Sequence, residues 1–227
     1  MKATYYGHST VELELVGASI LFDPFITPNE KANNIDVESL NPDYIFLSHA
    51  HEDHVADLFA IQQQSGAEVA AIVETSAWAN KGGIPQEKLH PFNFGGTLKL
   101  KFGTAKMVYA LHTNGAPDGS YAGLPAGYVI HSGDKKIYFA GDTALTLEMK
   151  LLEDEALDWA FLPIGGHFTM DVDDAIKAAK LINCQNIIGI HYNTFPPIQI
   201  DKEEAIDKFE KAGLRLYLPS IGGTVSL

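Results

Sequence analysis

The segment Ser48-His49-Ala50-His51-Glu52-Asp53-His54 gathers three imidazoles and a carboxylate that could bind metal. His49 and His51 lie two apart at the end of a predicted strand, 43–47, so they can project to the same side. Asp53 and His54 fall at the turn into the next helix, which re-aims their side chains. Such a stretch can give two ligands to one ion and two to its neighbour. With nine histidines in 227 residues, the pattern H-x-H-x-D-H would arise by chance in roughly one chain in a thousand of this composition. The bland alternative is a solvated helix start capped by Asp53.

Ligands of this kind need strand ends to hold them. The first third reads as strands at 3–6, 11–16 and 19–22, with Val11, Leu13 and Leu15 alternating against polar neighbours and a hairpin turn at Val16-Gly17-Ala18. From residue 43 the rhythm becomes strand and helix. The strand 43–47 is followed by a helix with Val55, Leu58, Phe59 and Gln62 on one face, ending at Gly66. A strand at 68–73 precedes a short helix to Lys81, with Thr75 as its cap. Strands return at 97–101, 105–111, 127–131 and 136–140. A helix at 145–155, a strand at 159–162, a helix capped by Asp171 and a strand at 186–190 follow. Asp201 and Glu204 form an acidic capping box before a last strand at 214–218. The two halves, 1–95 and 96–227, share this element order without an alignable repeat. That order predicts one α/β domain over 1–227, two sheets face to face with helices outside, an αββα sandwich.

Composition narrows the function classes. Forty-six per cent apolar residues can build a large core. No apolar run approaches the ~18–20 residues that span a bilayer, and the N-terminal residues lack a signal-peptide pattern. A lone cysteine, Cys184, fits a reducing cytoplasm and packs as a core residue. Sixteen basic against 29 acidic residues give a formal charge of −13, which repels phosphate backbones and anionic membranes. The expectation is a cytoplasmic protein that binds neither nucleic acid nor membrane; the sequence leaves a homo-oligomer open.

The His-rich motif resembles the signature of the metallo-β-lactamase superfamily. The resemblance extends to His112 in Tyr109-Ala110-Leu111-His112-Thr113, Asp142 in Phe139-Ala140-Gly141-Asp142-Thr143 and His191 in Ile190-His191-Tyr192-Asn193, each after a predicted strand. It implies that His49, His51 and His112 hold a first metal ion and that Asp53, His54 and His191 hold a second, with Asp142 bridging. Gly7-His8-Ser9, Phe22-Asp23-Pro24-Phe25 and Gly165-Gly166-His167-Phe168 resemble a branch of small metal-dependent hydrolases, distantly akin to the bacterial ascorbate-6-phosphate lactonase. In relatives that cleave phosphodiesters a general-acid histidine occupies the interval of His167. The alternative for His167 is a rim position. His8 either lines the pocket or packs structurally. Asp23 either orients a ligand imidazole from behind or is a turn residue before Pro24. His90 and His131 have no motif around them and read as structural or surface residues.

Imidazoles with two carboxylates suit Zn²⁺, and also Mn²⁺ or Fe²⁺, with no thiolate near any ligand position. In the superfamily that the motif resembles, a glutamate at position 51 would mark the di-iron electron-transfer branch; His51 points away from it. Two ions sharing a water make hydroxide available at neutral pH, and Asp53 can orient it while also ligating. The implied activity is hydrolysis of a small ester, lactone or phosphoester. A phosphodiesterase of the tRNA 3′-processing type and a metal-holding module without turnover are the alternatives. Segments 26–40 and 113–126 are expected to rim the pocket and set specificity.

Overall fold

The structure, a computed structural model, describes residues 1–227. The first half contributes β1 (Lys2–Gly7), β2 (Thr10–Glu14), β3 (Ser19–Phe22), β4 (Tyr44–Phe46), β5 (Glu68–Ile72) and β6 (Leu89–Phe92). The second contributes β7 (Thr97–Leu100), β8 (Gly103–Tyr109), β9 (Ala126–Ser132), β10 (Lys135–Phe139), β11 (Trp159–Pro163), β12 (Asn186–Ile190), β13 (Arg215–Tyr217) and β14 (Thr224–Ser226). The α-helices are α1 (Glu52–Val55), α2 (Leu58–Ser65), α3 (Val73–Lys81), α4 (Val172–Leu181) and α5 (Lys202–Lys211). Two seven-stranded sheets result, in the orders β14-β1-β2-β3-β4-β5-β6 and β13-β12-β11-β10-β9-β8-β7. In each, antiparallel neighbours give way to parallel ones, at β3 in the first sheet and at β10 in the second. The shared element order of the halves is therefore real, and the αββα sandwich is the fold.

Alternation along the strands sorts the side chains between layers. Ile20, Phe22 and Phe46 face the other sheet and join the main core with Met107, Tyr128, Phe139 and Phe161. Phe22 and Phe139 stack across the sheets with ring centroids 4.1 Å apart. The intervening residues Leu21, Ile45 and Leu47 turn outward into a second core beneath α2 and α3, with Leu58, Ile61 and Ala79. On the far side α4 and α5 cover the second sheet through Ala175, Ala178, Ala179, Ala205 and Phe209. No helix is long and apolar enough to cross a membrane.

Several elements differ from the sequence reading for local reasons. The helix expected over 55–66 breaks at Asp57, whose carboxylate accepts from Ile26 N (2.6 Å) and Thr27 N (2.9 Å) and so anchors the loop after β3. Thr75 lies inside α3 and donates to Ala122 O at 2.8 Å, because the helix starts directly off β5 at Val73. The stretch 145–155 forms a 3₁₀ helix, Leu147–Glu155, burying Met149 and Leu152, which are spaced three apart as that helix requires. Asp201 caps α5 through Glu203 N and Glu204 N, but the Glu204 carboxylate faces Lys208 at 3.5 Å rather than closing a capping box. The reading missed β6, an edge strand that tolerates Pro91, and the three-residue β14 beside β1.

Phe209 is fully buried between α5 and the second sheet. Phe209→Ala should lower the unfolding free energy by about 3–5 kcal/mol, read from the shift in the urea midpoint at unchanged slope.

Candidate metal centre

The chemistry-bearing residues meet where strands of both sheets end. From the first sheet, β1 delivers His8, β3 delivers Asp23, and β4 leads into His49, His51 and α1 with Asp53 and His54. From the second, β8, β10 and β12 run out into His112, Asp142 and His191. Local sequence makes these exits possible. Gly141 has φ +62°, and a Cβ there would stand 2.5 Å from Ser48 Cβ, so glycine lets the end of β10 close onto the motif. His8, Asp23, His167 and His191 are four of the seven non-glycine residues with positive φ. Each such residue costs of order 1–3 kcal/mol, strain of the kind that concentrates at functional sites.

Asp142 lies at the middle. Its Oδ2 stands 3.0 Å from His191 Nε2, 3.4 Å from His54 Nε2 and 3.6 Å from His112 Nε2. The two longer separations are poor hydrogen bonds. They match the roughly 3.3–3.6 Å between ligands of one tetrahedral ion bound at 2.0–2.2 Å. Asp142 Oδ1, His54 Nε2 and His191 Nδ1 are buried without a hydrogen-bond partner. Around this carboxylate, one donor set comprises His49, His51 and His112, and another comprises His8, Asp53, His54 and His191. His49 Nε2 and His51 Nδ1 approach to 2.9 Å. The residues present therefore fit a divalent metal centre.

Asp23 sits in the bend that leaves β3 and supports the cluster from behind. It is fully buried, accepts from Ser48 N (2.7 Å) and Ser48 Oγ (2.6 Å), and holds His54 Nδ1 at 2.9 Å. Ser48 Oγ in turn meets His49 Nδ1 at 2.9 Å. With both Nδ1 atoms engaged, Nε2 of His49 and of His54 is the atom left for a cation. His8 is packed and partnered on both ring nitrogens, with Nδ1 at 2.9 Å from Thr194 Oγ1 and Nε2 at 3.1 Å from Asp53 Oδ2. It thus orients Asp53. Asp53 is not a helix cap; the N-cap of α1 is His51.

Burial and neighbouring charges pull the titratable groups of the cluster in opposite directions. Burial pushes the imidazoles of His49, His51 and His112 below their usual range and takes His8 down to about 4. Burial also opposes charge on His54, but Asp142 and Asp23 outweigh it and hold that imidazole well above its ordinary value. Asp142 shows the converse: burial raises it, and His191 and His54 overcome burial to keep it ionised. Burial works against the charge of Asp53 too, and His8 and His54 override it. Asp23 is raised by burial despite His54.

The remaining sequence candidates lie outside this cluster. His167 is exposed, packs edge-on against Phe168 at 4.4 Å, and belongs to neither donor set. Its loop nonetheless borders the centre, since a Cβ on Gly165 would come 2.2 Å from His191 O. His90 pairs with Glu68 at 2.5 Å, and His131 is exposed on β9. Cys184 is buried, its thiol pushed up to about 11 by burial. The reading passed over Ser48 as a functional residue, although it stands inside the motif. It also passed over Asn114, which accepts from Ala50 N at 2.8 Å and donates to Ala122 O at 2.8 Å.

The sequence matches the Beta-lactamase superfamily domain over residues 18–192. It is 46% identical over 228 residues to the UPF0173 metal-dependent hydrolase of Flavobacterium johnsoniae, covering all of both chains. A UPF0173 metal-dependent hydrolase of Thermus thermophilus is 41% identical over 214 residues, 94% of this chain and 93% of the relative. The solved structure of Igni18, a metallo hydrolase from Ignicoccus hospitalis, superposes with a TM-score of 0.88 at 35% identity, covering 99% of this chain and 97% of that one. With strand ends of both sheets meeting at the histidine-rich motif, these likenesses lead to one assignment: the chain belongs to the metallo-β-lactamase superfamily, among its metal-dependent hydrolases.

Proposed function

We propose that this hydrolase works with two divalent ions, Zn²⁺ ahead of Mn²⁺ or Fe²⁺, on a small ester, lactone or phosphoester. The observation that carries the reading is Asp142, one buried carboxylate oxygen within 3.6 Å of imidazoles from three different segments. In this reading His49, His51 and His112 hold one ion, Asp53, His54 and His191 hold the other, and Asp142 lies between them. Nitrogen-rich, thiolate-free donors at tetrahedral spacing suit Zn²⁺ best. When bound, the ions polarise the scissile carbonyl or phosphoryl oxygen and lower the pKa of water toward ~7.

The chain's own groups supply the rest. His8 fixes Asp53 through Oδ2, leaving Oδ1 without a partner inside the protein to orient a water and take its proton. Hydrolysis adds the water oxygen to the acyl carbon or phosphorus and releases the substrate's leaving oxygen, which needs a proton. His167, on the loop against His191, is the residue we assign to deliver it. A cavity of about 450 Å³ opens from His112 between Thr113, Tyr121 and Leu124, within the segment expected to rim the pocket. Its size and apolar edges suit a small molecule.

A nucleic-acid substrate is the weaker reading. The chain carries −13 overall, and lysines such as Lys2, Lys106, Lys135 and Lys211 are paired with Glu14, Glu155, Asp158 and Asp207. Neutralising successive phosphates needs free cations spread over a surface. Together with the free thiol of Cys184, this balance supports a cytoplasmic enzyme of small molecules.

Asp142→Asn keeps the volume and removes the charge between the ions. Metal analysis of that variant should show one ion lost, turnover should fall by more than ~100-fold, and the circular dichroism spectrum should not change. Undiminished hydrolysis would refute the binuclear reading. A side-by-side assay of simple esters, a sugar-phosphate lactone, a bis-phosphodiester and precursor tRNA, at matched salt, should give turnover on the small molecules only. Salt-sensitive tRNA cleavage alone would reverse the substrate assignment. His167→Ala should slow esters with poor leaving groups by ~10²-fold or more and spare activated ones, as loss of a general acid requires.

A further inference from the structure

A second cavity, of about 210 Å³, lies on the other side of His8 from Asp53, among Tyr5, Asn29, Lys31, Tyr192 and Lys202. No aspartate or glutamate lines it. In a chain of 29 acidic and 16 basic residues, two ammonium groups share this cavity, and neither lies in an ion pair. Lys31 gives one hydrogen bond to Asn193 O and keeps further N–H groups free. Lys202 Nζ stands 5.3 Å from the centroid of the Tyr192 ring, which fixes its position without neutralising it.

The neutral groups of the lining are donors as well. Asn29 is buried, and its Oδ1 accepts from Lys31 N, so the amide is turned with Nδ2 making no hydrogen bond inside the protein. Gly7 leaves room for that amide, since a Cβ there would come within 2.7 Å of Nδ2. Tyr192 is 4% exposed, stacked on Tyr5, and its Oη is buried with no partner beyond the Tyr5 hydroxyl. Asp201, next to Lys202 in sequence, gives its carboxylate to Glu203 N and Glu204 N and lines a different cavity.

We infer that this cavity binds a small phosphate-class anion, inorganic phosphate or a compact phosphomonoester, at a site separate from the metal centre. Two ammonium groups match its charge, the amide and phenol donors match its several acceptor oxygens, and the volume holds the group with a few attached atoms. His8 is the partition. It faces the cavity on one side and holds Asp53 on the other, so the bound anion is one side chain away from the catalytic carboxylate without reaching it.

The test is calorimetric titration of the metal-loaded protein with inorganic phosphate at low salt, for the wild type, Lys31→Met, Lys202→Met and Asp142→Asn. Each lysine variant should weaken phosphate binding about tenfold or more, with metal content and circular dichroism unchanged. Asp142→Asn should keep the lysine-dependent phosphate binding, whatever phosphate the metal centre itself takes. Affinity that survives in the lysine variants and disappears in Asp142→Asn would place the anion on the metals and overturn the inference. So would a wild type that binds no phosphate at millimolar concentration. Neither result depends on whether the ester and lactone assay succeeds, so the hydrolase reading and this one fail separately.

Discussion

A carboxylate that is 2% exposed at the contact of two sheets must find compensating charge or the fold will not bury it. Asp142 finds it in imidazoles delivered by β4–α1 and β8–β12, so neither sheet alone can satisfy the group. This demand requires the two sheets to be in register at one end of the sandwich. Hydrogen bonds between the layers hold that register: His191 N to His8 O at 2.8 Å, Ala126 N to Ser48 O at 2.8 Å and Tyr128 Oη to Leu47 O at 2.6 Å. The stacked aromatic core behind them keeps the layers at fixed separation.

From that point the architecture works outward in shells. Asp23 and Ser48 set the ring orientation of His54 and His49, and Asp57 fixes the loop that carries Asp23 out of β3. His8 does the same for Asp53 from the end of β1. Strand ends hold the histidine and aspartate cluster, while the loops 113–126 and 165–170 border it.

Much of this is legible in the amino-acid sequence. His49, His51, Asp53 and His54 declare themselves because metal ligation demands rare residues at close spacing. His112, Asp142 and His191 lack such local density and became legible through resemblance to a family, each after a strand. The strand–helix alternation gave both sheets and the outer helices, since hydrophobic period reports burial directly. What stayed hidden depends on contacts distant in sequence. The sequence offers Asp23 as the support of a ligand imidazole or as a turn before Pro24, and only the fold identifies its partners, Ser48 and His54, 25 and 31 residues on. His8 and Thr194 meet across 186 residues. The 3₁₀ helix at 147–155 and the strand β14 have too few residues in pattern to announce their type.

β14 has a consequence for synthesis. Its residues pair with β1 in antiparallel register, Thr224 opposite Thr4, across nearly the whole chain. A chain made from its N-terminus exposes the outer edge of β1 while the twelve strands β2–β13 emerge. Open edges of that kind recruit other nascent strands. Lys2, beside Glu14 on β2, places a charge at this edge, the type of residue that discourages such pairing. The sheet that carries the histidine motif thus stays open at this edge until β14 has been made, and its protection until then falls to charged side chains such as Lys2.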